Sequence, residues 1–527
     1  MTSSLPATRH NFTAAIWIFG FVVFFLCRPA SAETSQSVDL LEEEEPAATK
    51  KDVPVYGHAL LIHPNNPDQD KSFTITRRPV SSHPNGFFLL NYTNFNHGSF
   101  GACPKPVLEY QNQLRQQQEQ QPDPFLRKRY KQLWNETRVR IAQSWKVPYQ
   151  QLVLVESAST AVNSILWSLE WKSGDFILYF STAYGMVKNT AQWLKLQYGL
   201  EIVEVPVQFP IANGNDAYLK SLEACLKTMK TNGELSKLKV AVLDHVVSIP
   251  AIKLPILALT KLIRQYTASN VSAESFSPFI LVDGAHAWGQ VPTEELSSLL
   301  GGDSAFKDDE KMAQTGGWID AYLSNGHKWM YSPKGSAVLW VHASRISRLF
   351  PEPTVISSEN SMQQCSFDTV EVDDPLYHRF IYTSTKDYTA LLSLAAAMDF
   401  RNDVLGGDVA IHTYIRNLAL QAKSHLMQVW NTPIPMAPND MEEYMINVIL
   451  PISKDDENKT EVGLALQQWL YDQHDMYAVI AQEPSSGYIY TRLSAQVYLE
   501  MSDFIRLGRV VLEFLGLGVS TTEMTVV

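Results

Sequence analysis

From about Gln151 onward, short apolar runs alternate with longer amphipathic stretches. Leu152–Val155, Phe176–Phe180, Ile202–Val205, Val240–Leu243, Phe279–Val282 and Ala337–Val341 read as buried strands, and a further short apolar strand lies just before Lys328. Most neighbouring pairs are separated by enough chain for a helix, which predicts a parallel sheet covered on both faces. Upstream, Pro106 to Val147 is rich in Gln, Arg and Leu and is broken at Pro122-Asp-Pro124, so it predicts two helices. Downstream, a helical stretch from Tyr388 to Phe400 bridges to a smaller α/β region reaching Leu517. The expected fold class is therefore α/β: a large domain with a mainly parallel sheet under helices, followed by a smaller C-terminal α/β domain.

The N-terminus has a different pattern. Phe12 to Leu26 is an apolar run of 15 residues after Arg9 and His10, and it ends at Cys27-Arg-Pro-Ala-Ser-Ala32. Small residues at Ala30 and Ala32 before Glu33 predict a cleaved signal peptide, since a spanning helix needs about 20 residues. If cleavage does not occur, the same run predicts a membrane anchor. Residues 33 to 85, with Glu42-Glu-Glu-Glu45 and Asn65-Asn-Pro-Asp68, read as a flexible acidic linker. The expected organisation is a leader over 1–32, the linker over 33–85, a helical segment over 86–147, the large domain over 148–395 and the small one over 396–520.

Composition adds limits. A formal charge of −12 with few basic clusters argues against nucleic-acid binding through a basic surface. Sequons at Asn91, Asn135, Asn270 and Asn458 suit a secretory route to a secreted or lumenal glycoprotein. Without Cys27, only Cys103, Cys225 and Cys365 remain, too few for a disulfide framework, and no Cys or His spacing predicts a metal site.

The candidate chemistry lies at two strand ends. Asp320-Ala-Tyr-Leu-Ser-Asn-Gly-His-Lys-Trp329 places Lys328 just past a strand, and Phe279-Ile-Leu-Val-Asp-Gly-Ala-His-Ala-Trp288 ends its strand on Asp283. Ligands of open α/β sheets bind outside the carboxyl ends of the strands, so both residues are aimed at one crevice. A desolvated lysine forms a Schiff base with pyridoxal phosphate, and a carboxylate that keeps the pyridine nitrogen protonated makes that cofactor an electron sink. Glu156-Ser-Ala-Ser-Thr-Ala161, opening a helix, is a candidate phosphate cup, and Tyr184 after the next strand is a candidate to cover the ring.

These segments occur in an ordered set with Asn94-Phe-Asn-His-Gly-Ser-Phe-Gly101, Asp244-His-Val-Val-Ser248, Ser384-Thr-Lys-Asp-Tyr388 and Arg492-Leu-Ser-Ala-Gln-Val-Tyr498. The set resembles the class V aminotransferases of pyridoxal phosphate fold type I, and within them the isopenicillin N epimerase and plant-type L-cysteine desulfhydrase branch. The resemblance runs from about residue 90 to 515. It implies Lys328 as the catalytic lysine, Asp283 on the pyridine nitrogen, His286 near the cofactor O3′ and Tyr184 on the ring face. It also implies Ser159, Thr160, Asn325 and His327 around the phosphate, with Thr385 reaching it from the second subunit of a homodimer. Arg492 would clamp a substrate carboxylate, with Asn96 and His97 nearby.

Three positions depart from that pattern: Ser157-Ala-Ser-Thr160 at the cup, Ser384-Thr-Lys-Asp387, and Val247 where the branch has Thr. The implied function is a pyridoxal phosphate enzyme acting on an amino acid through an external aldimine, first as a cysteine desulfhydrase or C–S lyase. The alternatives are an amino-acid epimerase or another class V aminotransferase. A desulfurase would need a nucleophilic thiol, for which Cys365 is the candidate, with no basic neighbour to activate it. An inactive secreted binding protein on the same fold predicts loss of Lys328, Asp283 or Arg492, and all three are present.

Overall fold

The computed structural model describes residues 87–267, 278–301, 319–349, 353–357, 374–432 and 434–518. The apolar run at 12–26, the acidic linker, Asn270 and Cys365 lie outside them. Two long helices lead in, α1 (Lys105–Gln120) and α2 (Tyr130–Trp145); the helix is interrupted at Gln121, resumes at Pro122 and passes through a π-helical turn at Phe125–Arg129 into α2. Pro122 lacks the N–H that a continuing helix would need.

A seven-stranded sheet follows: β1 (Leu152–Val155), β2 (Phe176–Phe180), β3 (Glu201–Val205), β4 (Leu238–Asp244), β5 (Phe279–Asp283), β6 (Ala321–Asn325) and β7 (Ala337–Val341). Their spatial order is β1-β7-β6-β5-β4-β2-β3. Strands β2 to β6 run parallel to their neighbours in that group, whereas β7 is antiparallel to both β6 and β1. The connections include α3 (Ala158–Trp167) after β1, α4 (Gly185–Tyr198) after β2, α5 (Asp216–Thr231) after β3 and α6 (Ile256–Thr267) after β4. This is the mainly parallel, helix-covered sheet expected from the alternation of apolar runs.

One strand differs from expectation. The run at Ile202–Val205 is buried only at Val205: β3 is exposed or half-exposed over the rest of its length, because it is the sheet edge and pairs only with β2. Glu201 and Glu204 on that edge, ion-paired to Lys195 and Lys188, discourage pairing with another chain.

The C-terminal part begins with the 22-residue helix α7 (Asp408–Val429). An antiparallel sheet ordered β9-β10-β8 follows, made of β8 (Met445–Ile449), β9 (Val479–Gln482) and β10 (Ile489–Ser494), with helices α8 (Lys459–His474) and α9 (Met501–Phe514). An early segment is tied into this part: Thr93–Asn94 pairs with Met476–Tyr477, and Phe95 accepts the Ser494 N–H through its carbonyl. No helix among the described residues is long and apolar enough to cross a membrane.

Candidate active site

The parallel strands β4, β5 and β6 end side by side. Asp244 and Asp283 are register partners at the last positions of β4 and β5, and β6 ends on Asn325, three residues before Lys328. Gly284 makes the turn after β5 possible: a Cβ there would sit 2.4 Å from the Tyr322 ring. The turn leaves Asp283 accepting the Ala285 N–H at 2.9 Å.

Around these ends lies a cavity of about 190 Å³. Lys328, Asp283, His286, Asn325, His327, Ser159 and Tyr184 all line it, so the structure brings seven of the residues singled out from sequence to one place. Lys328 Nζ is 2.9 Å from His286 Nε2. Burial, reinforced by the positive charge of Arg492, pushes the lysine amine down to about 7 against the opposing pull of Asp283. Burial, with Lys328 adding to it, holds the His286 imidazole well below its usual range and therefore neutral. His327 is lowered to about 4, first by burial and then by Lys328.

The cup is a helix N-terminus. Ser157 caps the ten-residue α3 by accepting the Thr160 N–H at 3.1 Å, and Asn325 Oδ1 accepts the Ala158 N–H at 2.9 Å. Thr160 itself turns its side chain to Ser157 Oγ, at 3.1 Å, and lines a separate cavity with Glu156, Lys386 and Tyr388. Thr385 does not line the Lys328 cavity of its own chain; its hydroxyl lies 2.6 Å from Tyr382 OH. Tyr184, at the start of α4, is 54% exposed and so has a free face at the cavity mouth.

Arg492 arrives from β10 and is only 2% exposed. Its guanidinium donates to the Ser248 carbonyl at 2.8 Å, to Ser99 Oγ at 2.7 Å and to Asn96 Oδ1, while its Nε has no hydrogen-bond partner. Ser99 and Ser248 line the Lys328 cavity, which puts the guanidinium at its wall. Asn96 touches Arg492 and not the cavity. His97 lies behind Lys328, fully buried, with Nε2 2.9 Å from the Lys328 carbonyl oxygen.

Sequence reasoning did not single out Ser99, Phe100, Met186, Asp244 and Ser248, all of which line the cavity. Asp244 carried a usable signal, because it ends its strand as Asp283 does. Burial, then the neighbouring Asp283, raises its carboxyl well above the usual carboxylate range, and its Oδ2 is buried without a hydrogen-bond partner. The segment carrying Ser99 also presses on the lysine turn. Gly101 has φ +67°, and a Cβ on it would lie 1.8 Å from the His327 carbonyl oxygen. Gly101→Ala is expected to cost about 1–3 kcal/mol or more through backbone strain and overpacking, read as a lower denaturation midpoint; a change within about 0.5 kcal/mol would refute the contact.

The donor set fits a phosphorylated pyridine aldehyde. It combines an amine of lowered basicity, a carboxyl at a neighbouring strand end, a capped helix N-terminus with Ser157 and Ser159, and a buried His286 Nδ1 without a hydrogen-bond partner. Among the described residues no group of acids, histidines and cysteines could hold a metal.

No protein-family model matches the chain. It is 26% identical over 458 residues to the probable chloroplastic L-cysteine desulfhydrase of Arabidopsis thaliana, covering 82% of this chain and 87% of the relative. It is 25% identical over 435 residues to the hercynylcysteine sulfoxide lyase of Schizosaccharomyces pombe, covering 82% and 96%. Among solved structures it resembles the cystine C–S lyase C-DES in complex with cysteine persulfide, with a TM-score of 0.60 and 19% identity over 80% of this chain and 98% of that one. A C-DES mutant with glycine covalently linked to its PLP cofactor superposes with a TM-score of 0.58, 19% identity and coverage of 80% and 97%. These likenesses give the chain the fold of pyridoxal phosphate enzymes.

Proposed function

We propose that the chain is a pyridoxal phosphate-dependent C–S lyase that releases sulfur from L-cysteine or a cysteine-derived amino acid. One observation carries the reading: a desolvated Lys328 amine, lowered to about 7, opens onto the same cavity as the strand-end carboxyl of Asp283. The sulfur lyases among its relatives supply the substrate class.

Ser157, Ser159, Asn325 and His327 would hold the phosphate, Asp283 the ring nitrogen, His286 the ring oxygen and Tyr184 the ring face. When bound, pyridoxal phosphate withdraws electrons from the bonds at the substrate Cα. Arg492 would orient the substrate by exchanging its Ser99 and Ser248 contacts for a two-pronged bond to the α-carboxylate, which would set the Cα–H toward Lys328. The Lys328 amine, uncharged for a large fraction of the time near neutral pH, accepts that proton and can return it to the departing sulfur. Buried walls around the amine keep bulk water from competing for it.

The described residues suit elimination better than sulfur transfer to a cysteine thiol of the chain. Among the described residues no cysteine lines the cavity; Cys103 lines a neighbouring groove, and burial raises its thiol to about 12. Epimerisation would need proton carriers on both faces of Cα, and the relatives point to a lyase.

We read the protein as a homodimer, in which Thr385 of one subunit would serve the phosphate of the other. The exposed turn 384–387 and the absence of Thr385 from its own chain's cavity support this. A secretory route is supported by the sequence of residues 1–32 and by exposed sequon asparagines Asn91 and Asn458. Asn135, by contrast, is engaged by the buried Arg138 at 2.7 Å.

The test is direct. Purified protein supplied with pyridoxal phosphate is expected to absorb in the visible and to release sulfide, pyruvate and ammonia from L-cysteine in equal amounts. A colourless preparation would overturn the cofactor reading, and a coloured one without sulfide would overturn the substrate reading alone.

A further inference from the structure

His97 is fully buried, and both of its ring nitrogens are used. Nε2 is 2.9 Å from the Lys328 carbonyl oxygen, and Nδ1 is 2.9 Å from the Tyr498 hydroxyl. A carbonyl can only accept, so Nε2 carries the proton and Nδ1 must accept the Tyr498 O–H. The Tyr498 oxygen in turn accepts from the Asn94 side-chain amide at 3.3 Å. The three bonds therefore run in one direction, from Asn94 through Tyr498 and His97 to Lys328. They require a neutral ring, and burial provides it by lowering His97 to about 3.

The relay is also tied to the fold at both ends. Asn94 belongs to the two-residue strand that pairs with Met476–Tyr477, and Tyr498 lies four residues beyond the end of β10. The ring of His97 packs 5.1 Å from that of Trp329 and 5.6 Å from that of Tyr331. Its chain neighbours Asn96 and Ser99 hold Arg492. One short segment thus touches the reactive lysine through one residue and the carboxylate clamp through two others.

We propose that His97 is a positioning residue for Lys328: by anchoring the lysine's backbone carbonyl through the Asn94–Tyr498–His97 relay, it holds the amine in its buried place facing the substrate. The inference rests on Lys328 being the reactive amine; the identity of the substrate does not enter.

The test reads the amine without the cofactor. Full-length protein stripped of pyridoxal phosphate is treated with cyanate between about pH 5 and 10, and carbamylation of Lys328 is followed by peptide mass spectrometry. The wild-type amine is expected to titrate near 7. His97→Phe keeps the aromatic packing but removes both hydrogen bonds. With the carbonyl unanchored the amine relaxes toward water, and its midpoint is expected to rise by at least about one unit, which lowers the neutral fraction at pH 7 by about fivefold. His97→Gln offers one donor and one acceptor and is expected to keep the wild-type midpoint.

With L-cysteine, His97→Phe is expected to lower kcat by about tenfold or more with KM within about twofold, whereas Asn96→Ala acts on KM. A His97→Phe midpoint equal to wild type, or a His97→Gln midpoint displaced as far as His97→Phe, overturns the relay. A wild-type midpoint near 10 overturns both the relay and the role of Lys328. Absence of sulfide with the midpoint shifts intact overturns the substrate reading only. If His97→Phe shows no folding transition, Tyr498→Phe replaces it, with a smaller upward shift expected and no shift overturning the relay.

Discussion

Lys328→Ala is expected to abolish covalent capture of the cofactor and to lower sulfide release by at least about 10²–10⁴-fold, the range that loss of a positioned proton carrier produces. The fold should survive the change. The side chain is half-buried at the cavity wall, its one polar contact among the described residues is with His286 Nε2 at 2.9 Å, and a desolvated amine is a cost that alanine removes. Linkage gives the variant a second signature. The amine titrates near 7 in the folded chain and near its ordinary 10.5 when unfolded, so between those values the unfolded chain binds more protons. Stability of the cofactor-free protein should therefore rise as pH climbs from about 7 toward 10.5, and Lys328→Ala should flatten that rise. Sulfide assays and pH-dependent denaturant melts check both halves. Activity within tenfold of wild type would remove Lys328 from the chemistry.

Arg492→Ala carries the second large expected effect. Truncating one partner of a buried, charged hydrogen-bonded set costs about 2–5 kcal/mol, or roughly 30- to 5,000-fold in kcat/KM. Here the truncation strands Asn96, Ser99 and Ser248 as well as the substrate carboxylate. Arg492 also has an electrostatic role, since its charge helps lower Lys328. Its removal should move the pH profile of activity upward. Arg492→Lys keeps the charge and loses the planar fork, so it should raise KM while leaving the pH midpoint near wild type. Steady-state kinetics on L-cysteine and on cysteamine, which lacks the carboxylate, separate the roles. Wild type should prefer cysteine strongly and Arg492→Ala should not; an unchanged preference would refute the clamp.

Lys328 was visible in the sequence for a local reason, whereas Arg492 was implied only by the ordered motifs of the family resemblance. An apolar run such as Phe279–Val282 or Ala321–Leu323 is a strand in almost any setting, and the polar residue and glycine that end it mark where the chain leaves the sheet. In a parallel α/β sheet that departure point faces the ligand crevice, so Asp283, Lys328 and their neighbours were legible before any contact was known. The same local logic pointed to the candidate cup, because Ser157 caps α3 within its own turn.

What the sequence by itself determined, then, was the strand and helix pattern, the strand-end chemistry and, through its ordered motifs, the cofactor class. Tertiary structure decided the rest. Only the sheet order makes β3 an edge, reverses β7 and brings Asp244 into register with Asp283. Only packing turns His97 toward the Lys328 carbonyl, 231 positions away, and sets Asn96 against Arg492, 396 positions away. A hydrogen bond between such distant residues leaves no trace in local periodicity, since its geometry arises only once both segments are packed against a common core.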